Sequence, residues 1–335
     1  MKNNILILNN HGLGDVVMSF SFFENLLKVS NNARIIILFK SKLELELFTL
    51  TQLYRDNESK FLLYNIKNIK KLFLYIFRIK KAYSLGVDED KSKKLFKLLF
   101  VKDFYIANPY NYEPSHTVNI LNNENKIHKS ILYSNLVKLS FDINILMEDK
   151  DYFIQDKEDV VYQNYIVFTG GSGELEKHKR WTTLGYKNLL INIIDNSNYK
   201  IFFVGSQSEQ KIVDEILFNI ENKYLERVTQ LNGKTSLLEL INILRNSELV
   251  VGNDNGVMHI ASACFANVLG LFGSTNYKIT GPIGDNIEII ENRIECSPCY
   301  AYNNIEGCED NICMKMITSG YVYKKVENFL NDVRL

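Results

Sequence analysis

A polar loop, Asn253-Asp254-Asn255-Gly256, interrupts the apolar run Leu249-Val250-Val251 and opens a helical pattern that carries His259. A second apolar run, Val268 to Phe272, follows at once and ends in Gly273-Ser274-Thr275. Strand, loop, helix, strand in so few residues predicts a parallel βαβ crossover. The loop would lie at the carboxyl end of its strand and feed a helix N-terminus, whose free N–H groups and dipole attract an anion, a phosphate above all. A glycine-rich loop upstream, Gly170-Gly171-Ser172-Gly173, runs into the basic stretch Lys177-His178-Lys179-Arg180, a second place for phosphate oxygens. A carboxylate, Asp15, follows the glycine turn Gly12-Leu13-Gly14 just after the first apolar run. It could take a proton from a bound hydroxyl, or merely cap the helix that starts at Val16. Four cysteines spaced Cys296-x2-Cys299-x8-Cys308-x4-Cys313 could hold zinc or iron through thiolates, or stay free thiols.

The elements that must position these groups are legible as short apolar runs. Asn4 to Asn9 and Ala33 to Phe39 read as strands with a helix, Val16 to Val29, between them. Further strands are expected at Phe61 to Tyr64, Tyr83 to Val87 and Phe104 to Ala107. A second βα series starts at Tyr165 to Thr169, continues through Ile201 to Val204 with a helix from Glu209, and takes in the 249–272 crossover. At 335 residues the chain fits two such α/β domains. The expected division is a first domain over 1–155, a second over 156–319, and a C-terminal helix, about 320–335, returning to pack on the first. Residues 66–82 have helical spacing, with Lys67, Lys70, Lys71, Arg78 and Lys81 on one face and Ile66, Ile69, Leu72, Phe73, Ile76 and Phe77 on the other. Such a helix either packs on the sheet or touches anionic lipid.

Composition excludes several classes. Hydrophobic content of 46% with 23% charged residues is that of a globular chain. Thirty-nine basic residues balance 39 acidic ones, so no net field points to nucleic acid. No apolar stretch approaches the roughly 20 residues that span a bilayer. With no recognisable signal peptide, a cytoplasmic protein is expected, with peripheral attachment to the cytoplasmic face of the inner membrane as an option.

The chain resembles glycosyltransferase family 9, the heptosyltransferases. The resemblance rests on Gly12-Leu13-Gly14-Asp15-Val16-Val17 after the first strand, Lys179-Arg180-Trp181, and Val204-Gly205 with Glu209. It continues through Gly233-Lys234-Thr235-Ser236-Leu237, Asn253 to His259 and Leu271 to Thr275, with the Cys296-Cys299 and Cys313-Met314 tail. These motifs run in order from residue 4 to about 317. Two features depart from the family: Asn255 stands where Thr or Ser is usual, and the loop from Gly170 to His178 is longer.

The resemblance implies a GT-B fold, two Rossmann-like domains facing each other across a cleft. The activity implied is inverting transfer of heptose from a nucleoside-diphosphate heptose, ADP-heptose favoured, to a lipopolysaccharide core or other surface glycan. Asp15 would be the general base. Lys179, Glu209, Asp254, Asn255, Gly256, His259, Gly171 and Ser172 would bind the donor. Catalysis would need no metal, helix dipole and lysine replacing it, and the Cys296, Cys299, Cys308, Cys313 cluster would at most hold a structural zinc or iron. Partners would be the nucleotide sugar and a glycolipid or glycan. The alternatives are a sugar-nucleotide epimerase on the same architecture, or heptosyl transfer to protein or capsule. A dehydrogenase is disfavoured because Val17 occupies the place of the third glycine of a dinucleotide fingerprint. A sensor of nucleotide sugars would have no use for Asp15. The acidic run Asp88-Glu89-Asp90 reads as a solvated turn.

Overall fold

A computed structural model describes residues 4–9, 11–86, 88–108, 120–122, 127–155, 162–299, 308 and 310–332. The chain divides into two compact units, Met1–Ile154 and Gln155–Leu335.

The first unit is built on a six-stranded sheet of order β3-β2-β1-β4-β5-β6. Its strands are β1 (Asn4–Asn9), β2 (Arg34–Phe39), β3 (Phe61–Asn65), β4 (Ile79–Leu85), β5 (Asp103–Asn108) and β6 (Ile120–Asn122). All neighbours pair in parallel, so the carboxyl ends gather along one edge. The central strands are buried on both faces, which is why they read as unbroken apolar runs. Of the expected strand Tyr83 to Val87, Val87 lies outside the described residues.

The helix expected over 66–82 is not formed as one element. A helical stretch covers Ile66–Tyr75, and the chain then turns and enters β4 at Ile79. The second half of the lysine pattern belongs to that strand: Lys81 is paired with Asp103 of β5 at 3.2 Å. Alternation on a strand and the 3.6-residue period coincide over so few residues. The stretch before residue 155, polar in sequence, is tied down. Asn25 donates through Nδ2 to the Leu146 carbonyl and accepts at Oδ1 from the Leu146 amide, while Phe153 bridges to Thr51.

The second unit repeats the plan with order β12-β11-β10-β7-β8-β9. Here β7 is Tyr165–Thr169, β8 Lys200–Phe203, β9 Val228–Gln230, β10 Leu249–Asn253, β11 Val268–Phe272 and β12 Ile287–Glu291, again all parallel. The C-terminal helix, Ser319–Asp332, packs against the helix Thr183–Asn196 and against β10. Its Val322 and Val326 are fully buried in the core of this second unit, because their spacing puts both on the one apolar stripe that the Leu189-Ile193 face can cover.

Candidate functional site

In the first unit the chemistry centres on Asp15. β1 ends at Asn9, and the helix Leu13–Met18 starts with Gly12 as its N-cap, earlier than the expected Val16. Asp15 is therefore inside the first turn and does not cap it. Its carboxylate instead accepts from Lys129 Nζ at 2.9 Å and from Tyr133 Oη at 3.2 Å. Both donors sit on the helix Lys129–Phe141, one turn apart and so on one face. The Lys129 side chain is only 4% exposed and that of Asp15 18%. A break at Ser19 separates this helix from Phe20–Val29, and Asn9 donates to the Ser19 hydroxyl, which bonds the Val16 carbonyl. These bonds hold the first helix at the end of β1. His11 meets the Gly86 carbonyl beyond β4. A carboxylate fixed by two donors yet open to solvent can serve as a proton acceptor of defined direction.

In the second unit the glycine-rich loop leaves β7 and the Asn253-Gly256 loop leaves β10, the two strands being adjacent. Lys179 Nζ lies 2.8 Å from Glu176 and 3.3 Å from Asp254, whose other oxygen is 4.0 Å from His259 Nε2. Three of the expected residues thus meet. The lysine charge is already opposed by two carboxylates, a feature that sequence reading did not foresee. Ser172 accepts from Arg180 Nε at 2.9 Å and donates to the Glu176 carbonyl, so it braces the loop. His178 is buried, and burial together with the Lys179 charge lowers its pKa below the ordinary histidine value.

Asn255 is spent within the protein. Its Oδ1 accepts from Val257 N and Met258 N, capping the helix Gly256–Ala263, and its Nδ2 donates to Thr169 Oγ1 at 3.0 Å and the Gly171 carbonyl at 2.9 Å. Two of the N–H groups expected to meet a phosphate are therefore taken. The helix dipole and the Gly256 turn remain.

Glu209 lies at the start of the helix after β8. The Ser206 amide and hydroxyl both donate to its Oε2, at 2.6 and 2.8 Å. Its Oε1 lies against Gly171, where a Cβ would come within 1.7 Å. Gly205, at φ +151°, leaves the same room on the other side. Beside it Asn232 is 2% exposed, and its Oδ1 has no hydrogen-bond partner among the described residues. Ser274, after β11, has a buried hydroxyl in the same condition. Buried polar atoms left open at strand ends suit a polar ligand. Sequence reading missed Lys129, Tyr133 and Asn232. The only available signal was the one-turn spacing of Lys129 and Tyr133.

Among the described residues no group of three or more His, Cys, Asp or Glu side chains is gathered to hold an ion. Cys313 is 4% exposed and packed against Gly273. Burial, reinforced by the thiols of Cys299, Cys308 and Cys296, pushes its pKa up to about 11. Cys296 is exposed.

The profile of glycosyltransferase family 9 (heptosyltransferase) matches residues 123–309. Lipooligosaccharide heptosyltransferase 2 of Haemophilus influenzae is 33% identical over 112 residues, 33% of this chain and 32% of that protein. The chain thus matches about a third of the length of this curated relative. Among solved structures, ADP-heptose lipopolysaccharide heptosyltransferase II of E. coli superimposes with a TM-score of 0.75 at 20% identity, over 100% of both chains. The iron-containing dodecameric glycosyltransferase TibC of enterotoxigenic E. coli gives 0.63 at 12%, over 99% of this chain and 78% of that one. The shared architecture is the GT-B fold, two Rossmann-like units. With the family profile running over more than half of its residues, the chain belongs to glycosyltransferase family 9.

Proposed function

We propose that this protein is an inverting heptosyltransferase that moves heptose from a nucleoside-diphosphate heptose, ADP-heptose favoured, to a lipopolysaccharide core acceptor. The observation that carries the reading is Asp15, a partly exposed carboxylate aimed by Lys129 and Tyr133 at the end of β1. The acceptor hydroxyl gives its proton to Asp15 as its oxygen attacks the anomeric carbon. The bond to the diphosphate breaks on the opposite face, which inverts the configuration. Lys179 and the dipole of the helix Gly256–Ala263 stabilise the departing diphosphate, so this chain's own groups supply the positive potential. Glu209 receives the ribose hydroxyls through Oε1, in the space that Gly171 leaves. The epimerase alternative is not favoured, since the family profile and the H. influenzae relative are both of heptosyltransferases.

The test is incubation with ADP-heptose or GDP-heptose and a heptose-deficient core glycolipid, with EDTA present. A product heavier by one heptose, with inverted anomeric linkage by NMR, is expected. Isomerised sugar nucleotide and no transfer would replace the reading with an epimerase.

The Lys179 cluster makes a paired prediction. Lys179→Ala should weaken donor binding by roughly 10- to 100-fold, the loss of a charge-assisted hydrogen bond. Glu176→Gln removes a carboxylate that competes for the same ammonium, so it should tighten binding. Calorimetry with ADP reads both, and equal effects of one sign would refute the lysine–phosphate contact.

A further inference from the structure

We infer that Asn232 selects the base of the donor, its carboxamide accepting from the 6-amino group of an adenine. The inference rests on the proposed reading of the second unit as the site of a nucleoside-diphosphate sugar. It adds the residue that chooses among such donors. Asn232 is buried, and its Oδ1 has no hydrogen-bond partner among the described residues. A buried oxygen left unpaired destabilises the empty protein, so a native chain that keeps one has a use for it. The backbone holds the residue in place. Leu231 N donates to the Phe203 carbonyl and Gly233 N to the Gly205 carbonyl, each at 2.9 Å. Gly233 takes left-handed backbone, φ +68°, and a Cβ there would lie 2.5 Å from Gln207 Oε1. The loop after β9 is thus fastened to the loop after β8 on both sides of Asn232.

Position along the sheet decides which part of the donor Asn232 meets. Strands β10, β7, β8 and β9 are consecutive neighbours, roughly 4.8 Å apart. In the proposed reading the segments after β10 and β7 take the diphosphate, and Glu209 after β8 takes the ribose. One strand further on, Asn232 meets what the ribose carries on the side away from its phosphates, which is the base. Glu209 Oε2 and Asn232 Nδ2 both close on the place a Cβ of Gly205 would fill, at 2.6 and 2.8 Å. Carboxylate and carboxamide are therefore neighbours, as the ribose and the base are. The open atoms then choose the base. Gln210 Oε1, at the start of the helix Gln210–Leu217, is a second buried acceptor without a partner among the described residues. Open acceptors call for N–H groups, and an amine brings two hydrogens. Adenine sets its amine beside a ring nitrogen, the donor and acceptor pair that an asparagine carboxamide complements. Guanine turns O6 and N7, both acceptors, to the corresponding edge, and arginine or lysine reads those. The one basic residue of the 231–236 loop, Lys234, is instead exposed and donates to the Gln230 carbonyl at 3.0 Å.

Calorimetry on the full chain is the experiment, comparing ADP, GDP and purine riboside 5′-diphosphate, which lacks only the amine. The unaltered chain should bind ADP about tenfold more tightly than either of the others, the loss expected when a buried acceptor goes unpaired. Asn232→Leu keeps the size of the side chain and removes the acceptor. It should bind ADP about tenfold more weakly and purine riboside diphosphate as before, so the preference for the amine disappears. Its unfolding temperature without ligand should not fall, whereas loss of a purely structural asparagine would lower it. Four results would overturn the inference while leaving a nucleotide site in place. They are equal binding of ADP and purine riboside diphosphate by the unaltered chain, a preference for GDP, undiminished ADP binding by the variant, or an equal loss of both adenine-type ligands in it. If the unaltered chain binds no nucleoside diphosphate, the donor reading falls and the inference with it.

Discussion

Asp15→Asn is expected to slow heptose transfer by about 10²–10⁴-fold, the loss that follows removal of a positioned general base. The amide keeps the size of the carboxylate and can still accept from Lys129 and Tyr133, but it cannot take a proton. Donor affinity should not change, because the donor-binding groups proposed above all belong to the second unit. Steady-state kinetics that separate kcat from KM provide the check. A normal kcat in the folded variant would mean that the proton goes to another group.

The ion pair with Lys129 makes the second large effect one of stability. Asp15→Asn removes the charge opposite an ammonium that is 4% exposed, and breaking a buried ion pair on one side can cost about 3–5 kcal/mol. Lys129→Met leaves a carboxylate that is 18% exposed and partly hydrated, so the expected cost is smaller, about 1–3 kcal/mol. The double variant removes both charges, and a coupling of about 1–3 kcal/mol should appear as recovered stability in urea titrations. Its transfer rate should stay as low as that of Asp15→Asn alone. If activity returned along with stability, Asp15 would be a structural partner of Lys129 and not the base. Strictly additive costs would show that the two charges are uncoupled.

Much of this arrangement was legible in the residues. Central parallel strands have no polar face, so Asn4–Asn9, Tyr165–Thr169 and Val268–Phe272 stood out as apolar runs. The loops that follow such strands had to lie at one edge, which brought Lys179, Asp254 and His259 together before any coordinates were known. What was illegible depends on contacts distant in sequence. Lys129 lies 114 residues from Asp15, on a helix whose hydrophobic pattern gives no reason to expect a buried lysine. The alternative that Asp15 caps its helix fails because Gly12, which has no side chain to do the capping, takes the N-cap place. The reading of 66–82 failed where lysines interrupt the first residues of β4. An apolar stripe says that the C-terminal helix is covered, not by which sheet.

Asn255 joins three pieces of chain through one side chain: the helix Gly256–Ala263 by its carbonyl oxygen, and Thr169 and Gly171 by its amide. A threonine hydroxyl could cap the helix, but it has one proton to donate and could not also hold both Thr169 and Gly171. The loop after β7 and the helix after β10 are thereby fixed to each other before any ligand arrives. Binding then need not immobilise that loop, an ordering cost that would otherwise be subtracted from the affinity. In this protein the residue at position 255 therefore sets the conformational entropy of the empty site more than the enthalpy of the filled one.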